Sequence, residues 1–224
     1  MTTPADASTD VGIDAPEVDG DSRRTFVWNR YNAKIQGHTK GADDPQGRRM
    51  AAAARRASGA GPGTHPDVWG LYRTVDHYGN RISWEGNLFR AEHLAIGLWG
   101  QHQQGNTRPM HVEGANLGKA CLALFHKRST KDAPVMADMD DAISRRLKVI
   151  ARTGDATVAA RHIKSLVNFL GSEGIPVDYT NLYRALVNWG DEEKHGRDLR
   201  QWASSYQRTT KPTGGKTAAT TQKD

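Results

Sequence analysis

Apolar side chains recur at three- and four-residue intervals along most of this chain, and nowhere do they alternate as a half-buried strand requires. The chain is therefore expected to fold as helices. The period is cleanest between residues 142 and 206. Ile143, Leu147 and Ile150 fall at i, i+4 and i+7, and Ile163, Leu166, Val167 and Leu170 at i, i+3, i+4 and i+7. Between these runs, Gly154 predicts the C′ residue of one helix and Asp155 the N-cap of the next. After the turn GSEGIP, Asp178 predicts the cap of a helix with Tyr179, Leu182, Tyr183, Leu186 and Trp189 inward. A last helix buries Leu199, Trp202 and Tyr206.

The earlier half reads the same way. Residues 24–36 place Val27, Trp28, Tyr31 and Ile35 on one face, and 46–57 are rich in helix formers, ended by Gly59, Gly61, Pro62 and Gly63. Pro66 suits the first turn of a short helix holding Val68, Trp69, Leu71, Tyr72 and Val75. A helix over about 85–102 spaces Leu88, Leu94, Ala95, Leu98 and Trp99 for burial, and one over about 115–127 turns Leu117, Cys121, Leu124 and Phe125 inward. The segment QQGNTRPMHVEG between them reads as a loop. The expected architecture is all-α: two small helical bundles, residues 22–130 and 131–208, with a boundary near Lys131–Pro134. Residues 1–21 and 209–224 lack the apolar area that offsets ordering entropy and read as disordered extensions.

Charge narrows the function. The chain holds 31 Lys and Arg against 25 acids, a net of +6; six of those acids lie within residues 1–21, which contain no base, and without them the balance is +12. A folded part this cationic favours nucleic acid or an acidic surface. The apolar content of 37% and mean hydropathy of −0.71 fit a chain whose ends are unpacked. No stretch approaches 18 consecutive apolar residues, so no membrane span is expected. With one cysteine, Cys121, and no secretory signal pattern, the default compartment is the cytoplasm.

Catalytic groupings do not emerge. GANLGKA (114–120) superficially resembles a phosphate loop, but it has one residue too few between the glycines, Ala120 replaces the magnesium-binding Ser/Thr, and no strand precedes it. A helix start with a solvent-facing Lys119 accounts for it better. The nine histidines include no H-E-x-x-H, and His93 and His102 lie nine residues apart, beyond shared coordination reach. Surface or partly buried histidines are the better account. Asp138, Asp140 and Asp141, like Asp191, Glu192 and Glu193, suit helix N-termini. No enzyme activity, metal or cofactor is expected.

What remains is the basic helical region. Between Ala142 and Phe169 six bases (Arg145, Arg146, Lys148, Arg152, Arg161 and Lys164) stand against a single acid, Asp155. Arg145 and Lys148 at i, i+3, and Lys148 and Arg152 at i, i+4, are expected to share a face, and Arg161 and Lys164 repeat the spacing. Like charges so placed weaken a helix slightly. A face that keeps them suits a phosphate backbone.

The motifs LGKA (117–120), SRRLKVIART (144–153), HIKSLVNFL (162–170) and VDYTNLYRALVNW (177–189), in that order, resemble the CasB family. That family is the small subunit of the type I-E CRISPR surveillance complex, Cascade; WGLYRTV (69–75) and the Trp-containing helix 85–102 fit its N-terminal half, so the resemblance covers residues 24–208. It implies an all-α, non-catalytic protein of two bundles, present as two copies along the backbone subunits that hold the guide RNA. Its basic surface would steady the opened target DNA and the displaced strand (the R-loop) in antiviral defence. The implied partners are guide RNA, target DNA, the Cascade backbone and large subunits, and a second copy of this chain. Lys119, Arg145, Arg146, Arg152, Lys164 and Arg184 match basic positions of the family motifs. The acidic head, the basic tail and a longer spacing between LGKA and SRR depart from the pattern.

One alternative stays open. Helices 155–170 and 178–189 are also readable as a helix-turn-helix DNA-binding regulator, with Asn181, Arg184 and Asn188 facing a groove, although the turn between them is long for that motif.

Overall fold

The computed structural model describes residues 25–36, 44–128 apart from Val75, His77 and Gly79, and 142–207. The expected boundary near Lys131–Pro134 and the extensions 1–21 and 209–224 lie outside the described residues. Among those described, eight α-helices and two short 3-10 turns make up the regular structure, with one isolated bridge, His111 to Val177, in place of any strand. The chain is all-α.

Helix α1 (Val27–Gln36) buries Val27, Trp28 and Tyr31, and α2 (Pro45–Ala57) begins where the Asp44 carboxylate accepts the Gln46 and Gly47 amides at 3.2 and 2.8 Å. A 3-10 helix (Pro66–Leu71) leads to α3 (Asn87–Gln103), buried along nearly its whole length. Next come α4 (Leu117–Arg128), α5 (Ala142–Ala151) and α6 (Ala156–Ser172). The last elements are α7 (Tyr179–Val187), a 3-10 turn (Asn188–Gly190) and α8 (Glu192–Tyr206). Helix α3 is the axis of the packing: it touches α2, α6 and α7, while α4 lies on α8. Buried apolar residues from Val27 to Tyr206 form one cluster, so the two halves of the chain share their core.

The caps follow the sequence signals. Asp155 accepts the Val158 amide at 2.9 Å, Asp178 that of Asn181 at 2.9 Å and Asp191 that of Lys194 at 3.0 Å. GANLGKA is a helix start: Asn116 Oδ1 accepts the Lys119 amide at 3.0 Å, and the exposed Lys119 Nζ reaches back to the Gly114 carbonyl. Gly118 serves packing. A Cβ there would fall onto the Trp202 backbone, so only glycine lets α4 and α8 approach this closely.

Three expectations fail for local reasons. Trp69 is 53% exposed, because three residues per turn bring Val68 and Leu71 inward together and turn the indole out, where its N–H donates to the Gly63 carbonyl at 2.7 Å. Leu88 is exposed in the first turn of α3, and its neighbour Phe89 takes the core position. Gly154 does not adopt a left-handed conformation; Thr153 closes α5 instead, its hydroxyl donating to the Val149 carbonyl at 3.0 Å. The segment QQGNTRPMHVEG is a loop as expected, and it is tied down. Met110 and His111 are buried, the Val177 amide donates to the Met110 carbonyl at 3.0 Å, and the Gly114 amide donates to Asp178 at 2.8 Å.

Three histidines are internal. His93 Nε2–H donates to the Ala60 carbonyl and its Nδ1 accepts from the Tyr72 hydroxyl; His111 Nδ1 accepts the Tyr179 amide. His102 lies 2.9 Å from the Tyr179 hydroxyl, and burial pushes its pKa down to about 4. An unfolded histidine titrates near 6.5, so between pH 6.5 and about 4 the unfolded chain binds a proton that the folded one refuses. Stability is complete above that window and falls through it as pH drops, by about 1.4 kcal/mol per pH unit for this group. Melting at pH 7 and pH 5 should show the loss, and His102→Asn should make it shallower, with the buried His93 and His111 keeping the remainder; an identical slope in both proteins removes His102 as a cause. In urea unfolding, Gly118→Ala is expected to cost about 3 kcal/mol, the upper range for overpacking. Gly59→Ala, with nothing within 4 Å of its Cβ, should be neutral or stabilising.

Candidate nucleic-acid interface

Helix α5 buries Ile143 and Ile150, α6 buries Ile163, Leu166, Val167 and Leu170, and the bases between these stripes are left outside. Where the two helices meet, they leave an open groove of about 480 Å³ lined by Ala142, Arg145, Arg146, Val149, His162 and Ser165. Among the described residues no carboxylate lines it. The Arg146 guanidinium lies 4.9 Å from the centre of the Phe169 ring, and Arg128, from the last turn of α4, lies 4.8 Å from the same ring. Phe169 thereby holds two guanidiniums against a rigid surface, as cation–π contacts do. Glu173 accepts from Lys127 and Arg128 at 3.3 and 3.4 Å and offsets part of this charge. The Lys127 hydrogen bond, more than the charge of Arg128, holds the Glu173 carboxyl below its ordinary range.

The other expected residues are distributed around this groove. Arg161 and Lys164 line a second groove, where α6 faces α3 and residues 58–62, together with Arg90. Lys148 belongs to a third, between α5 and α8, beside Leu147, Trp202 and Tyr206. Arg145 and Lys148, neighbours at i, i+3 on the helix, thus line different grooves, one toward α6 and the other toward α8. Arg152 stands exposed just past α5, Arg184 is exposed on α7, and Lys119 is exposed near the start of α4; none of these three lines the α5–α6 groove.

Arg90, Arg128 and His162 join these surfaces without having stood out along the chain. The run HKR closing α4 is a visible cue for Arg128, since bases in a last turn complement the helix dipole. For Arg90 no local signal exists, because its neighbours come from α6.

The helix-turn-helix reading loses its reading face. Asn181 donates to Gln201 at 3.3 Å and accepts the Trp202 indole N–H at 3.3 Å; Asn188 donates to Asp198 at 2.9 Å. Both amides are spent on α8, leaving Arg184 alone of the three expected reading residues. Among the described residues no group of three or more His, Cys, Asp or Glu is placed to hold a metal ion, and no helix is long and apolar enough to cross a membrane. Asp138, Asp140 and Asp141 lie outside the described residues.

Exposed arginines over apolar ground, as Arg145 and Arg146 are at the α5–α6 groove, can bind phosphate oxygens in forked pairs without reading bases. No curated protein sequence matches the chain. The crystal structure of CasB from Thermobifida fusca superposes with a TM-score of 0.59 at 21% identity, covering 82% of this chain and 98% of that one. A chain of a CRISPR RNA-guided surveillance complex is 23% identical, with a TM-score of 0.47 over 81% of this chain and 93% of its own length. A second, from such a complex described as pre-nicking, is also 23% identical, with a TM-score of 0.48 over 80% and 89%. Residues 50–206, well over half of the chain, match the model of the CRISPR-associated protein Cse2, and the chain belongs to that family, the Cse2 (CasB) family.

Proposed function

We propose that this chain is a non-catalytic subunit of an RNA-guided CRISPR surveillance complex of the Cascade kind, gripping nucleic-acid backbone to stabilise the opened target and the displaced strand. Family membership supports the setting. The observation that carries the role is the α5–α6 groove, where Arg145, Arg146, His162 and Ser165 converge with no carboxylate among them. Pairing with the guide supplies sequence specificity in such complexes, so the protein needs only phosphate contacts. R-loop formation is nearly balanced, and a few such contacts tip it. Arg128 adds to the same face through Phe169. Lys148, Arg152, Arg161, Lys164, Arg184 and Lys119 extend the cationic surface along which a strand would run. The partners on this reading are guide RNA, target DNA, the backbone and large subunits, and a second copy of the chain, with the complex working in the cytoplasm.

The test is a charge reversal, Arg145→Glu with Arg146→Glu, built into the assembled complex. Assembly should survive, since both side chains are exposed. Target affinity should fall, and the slope of log affinity against log salt should become shallower by about 1.4, roughly 0.7 for each single-strand phosphate that the protein no longer neutralises. Affinity and slope both unchanged would sink the proposal.

A further inference from the structure

The groove on the other side of α6 differs in kind from the one just assigned. It is bounded by residues 58–62, α3 and α6 and has a volume of about 320 Å³, the lower end for small-ligand sites. Three cations reach it from two helices: Arg90 on α3, and Arg161 and Lys164 on α6. Among the described residues no carboxylate lines it, and neither Arg90 nor Arg161 pairs with an acid. Beneath the charges the lining is apolar: Pro62, Leu94, Leu98 and Ala160. The α5–α6 groove has only Ala142 and Val149 of this character.

The wall of this second groove is fixed in advance. His93 Nε2–H donates to the Ala60 carbonyl at 2.9 Å, clamping the 58–62 segment onto α3. A Cβ at Gly97 would come within 2.9 Å of the Ser58 Cα, so the segment already sits against the helix. Lys164 Nζ lies 3.4 Å from Ser58 Oγ and ties the segment to α6. A site held on three sides loses little entropy when filled.

We propose that this groove takes one unstacked nucleotide of a single strand, its phosphate against Arg90, Arg161 and Lys164 and its base on the apolar floor formed by Leu94, Leu98 and Ala160. The chemistry follows from the lining. A bare phosphate would leave the floor wet, and an apolar peptide would leave three cations unpaired, whereas a nucleotide has one anionic end and one flat, largely apolar end. The floor offers no paired donors and acceptors aimed inward, so any base is accepted. This inference rests on the nucleic-acid role proposed above and adds a base contact to a surface otherwise confined to backbone.

The experiment uses the full chain and two probes: a twelve-residue oligothymidylate, and an abasic oligomer of the same length and charge. The chain should bind the thymidylate roughly fivefold or more tightly than the abasic strand, the size of effect expected when one base buries modest apolar surface. Thr157→Trp, at an exposed position on the rim of the groove, should fill the floor and bring the thymidylate affinity down to the abasic value. Arg90→Gln should weaken both probes together. Equal binding of the two probes by the unaltered chain overturns the base site, as does a preference that persists in Thr157→Trp. If Arg145→Glu with Arg146→Glu still weakens both probes in that case, the backbone-gripping role stands without the base site. Binding of neither probe by the unaltered chain overturns both.

Discussion

A buried ion pair joins the parts of this molecule that the rest is built on. Glu92, fully enclosed on α3, accepts the Arg73 backbone N–H at 3.0 Å and lies 3.3 Å from its Nε. The Arg73 guanidinium covers the Phe26 ring at 3.6 Å and faces Tyr183 of α7 at 5.1 Å. Phe26 in turn stacks on Trp28 of α1, and Arg30 donates to the Gly70 and Leu71 carbonyls. Four segments distant in sequence meet at this point. Burial pushes the Glu92 carboxyl upward, and Arg73 pulls it back toward the charged form. Removing either partner would strand a charge inside the protein, which costs about 3–5 kcal/mol.

With α3 held, the remaining helices are placed by how closely they can approach it. Ala54 and the Arg55 amide of α2 sit where a side chain at Gly100 would be, giving α2 and α3 a backbone-to-backbone crossing. The opposite side of α3 carries α6 and α7. Because α6 packs on α3 along one flank and on α5 along another, its outward residues stand between two grooves. The buried charge, the glycine crossings and the cationic surface are therefore successive consequences of one arrangement.

Much of this is legible along the chain. The helices fall within a few residues of their expected limits, because the 3.6-residue period and the caps Asp155, Asp178 and Asp191 are local properties. Arg145 and Arg146 are legible as a basic pair, and the structure seats them in one groove. The role of Glu92 is not. A glutamate inside a helical period looks solvated until its partner, nineteen residues away, is brought beside it. His93, His102 and His111, expected at the surface or only partly buried, are all internal, held by Tyr72, Tyr179 and backbone groups from other segments.

An all-α chain, a cationic folded part and the order of motifs that marks the family follow from the residues in their linear order. These depend on side-chain periodicity, capping chemistry and composition, which act over a few residues or over the whole chain at once. Which bases share a groove is settled by packing instead: it separates Arg145 from Lys148 and joins Arg90 to Arg161 and Lys164. It also brings Arg128 and Arg146, from different helices, to the one ring of Phe169. The reason is geometric. A groove exists between helices, and its lining is set by crossing distances that glycines and a buried ion pair fix far from the bases themselves.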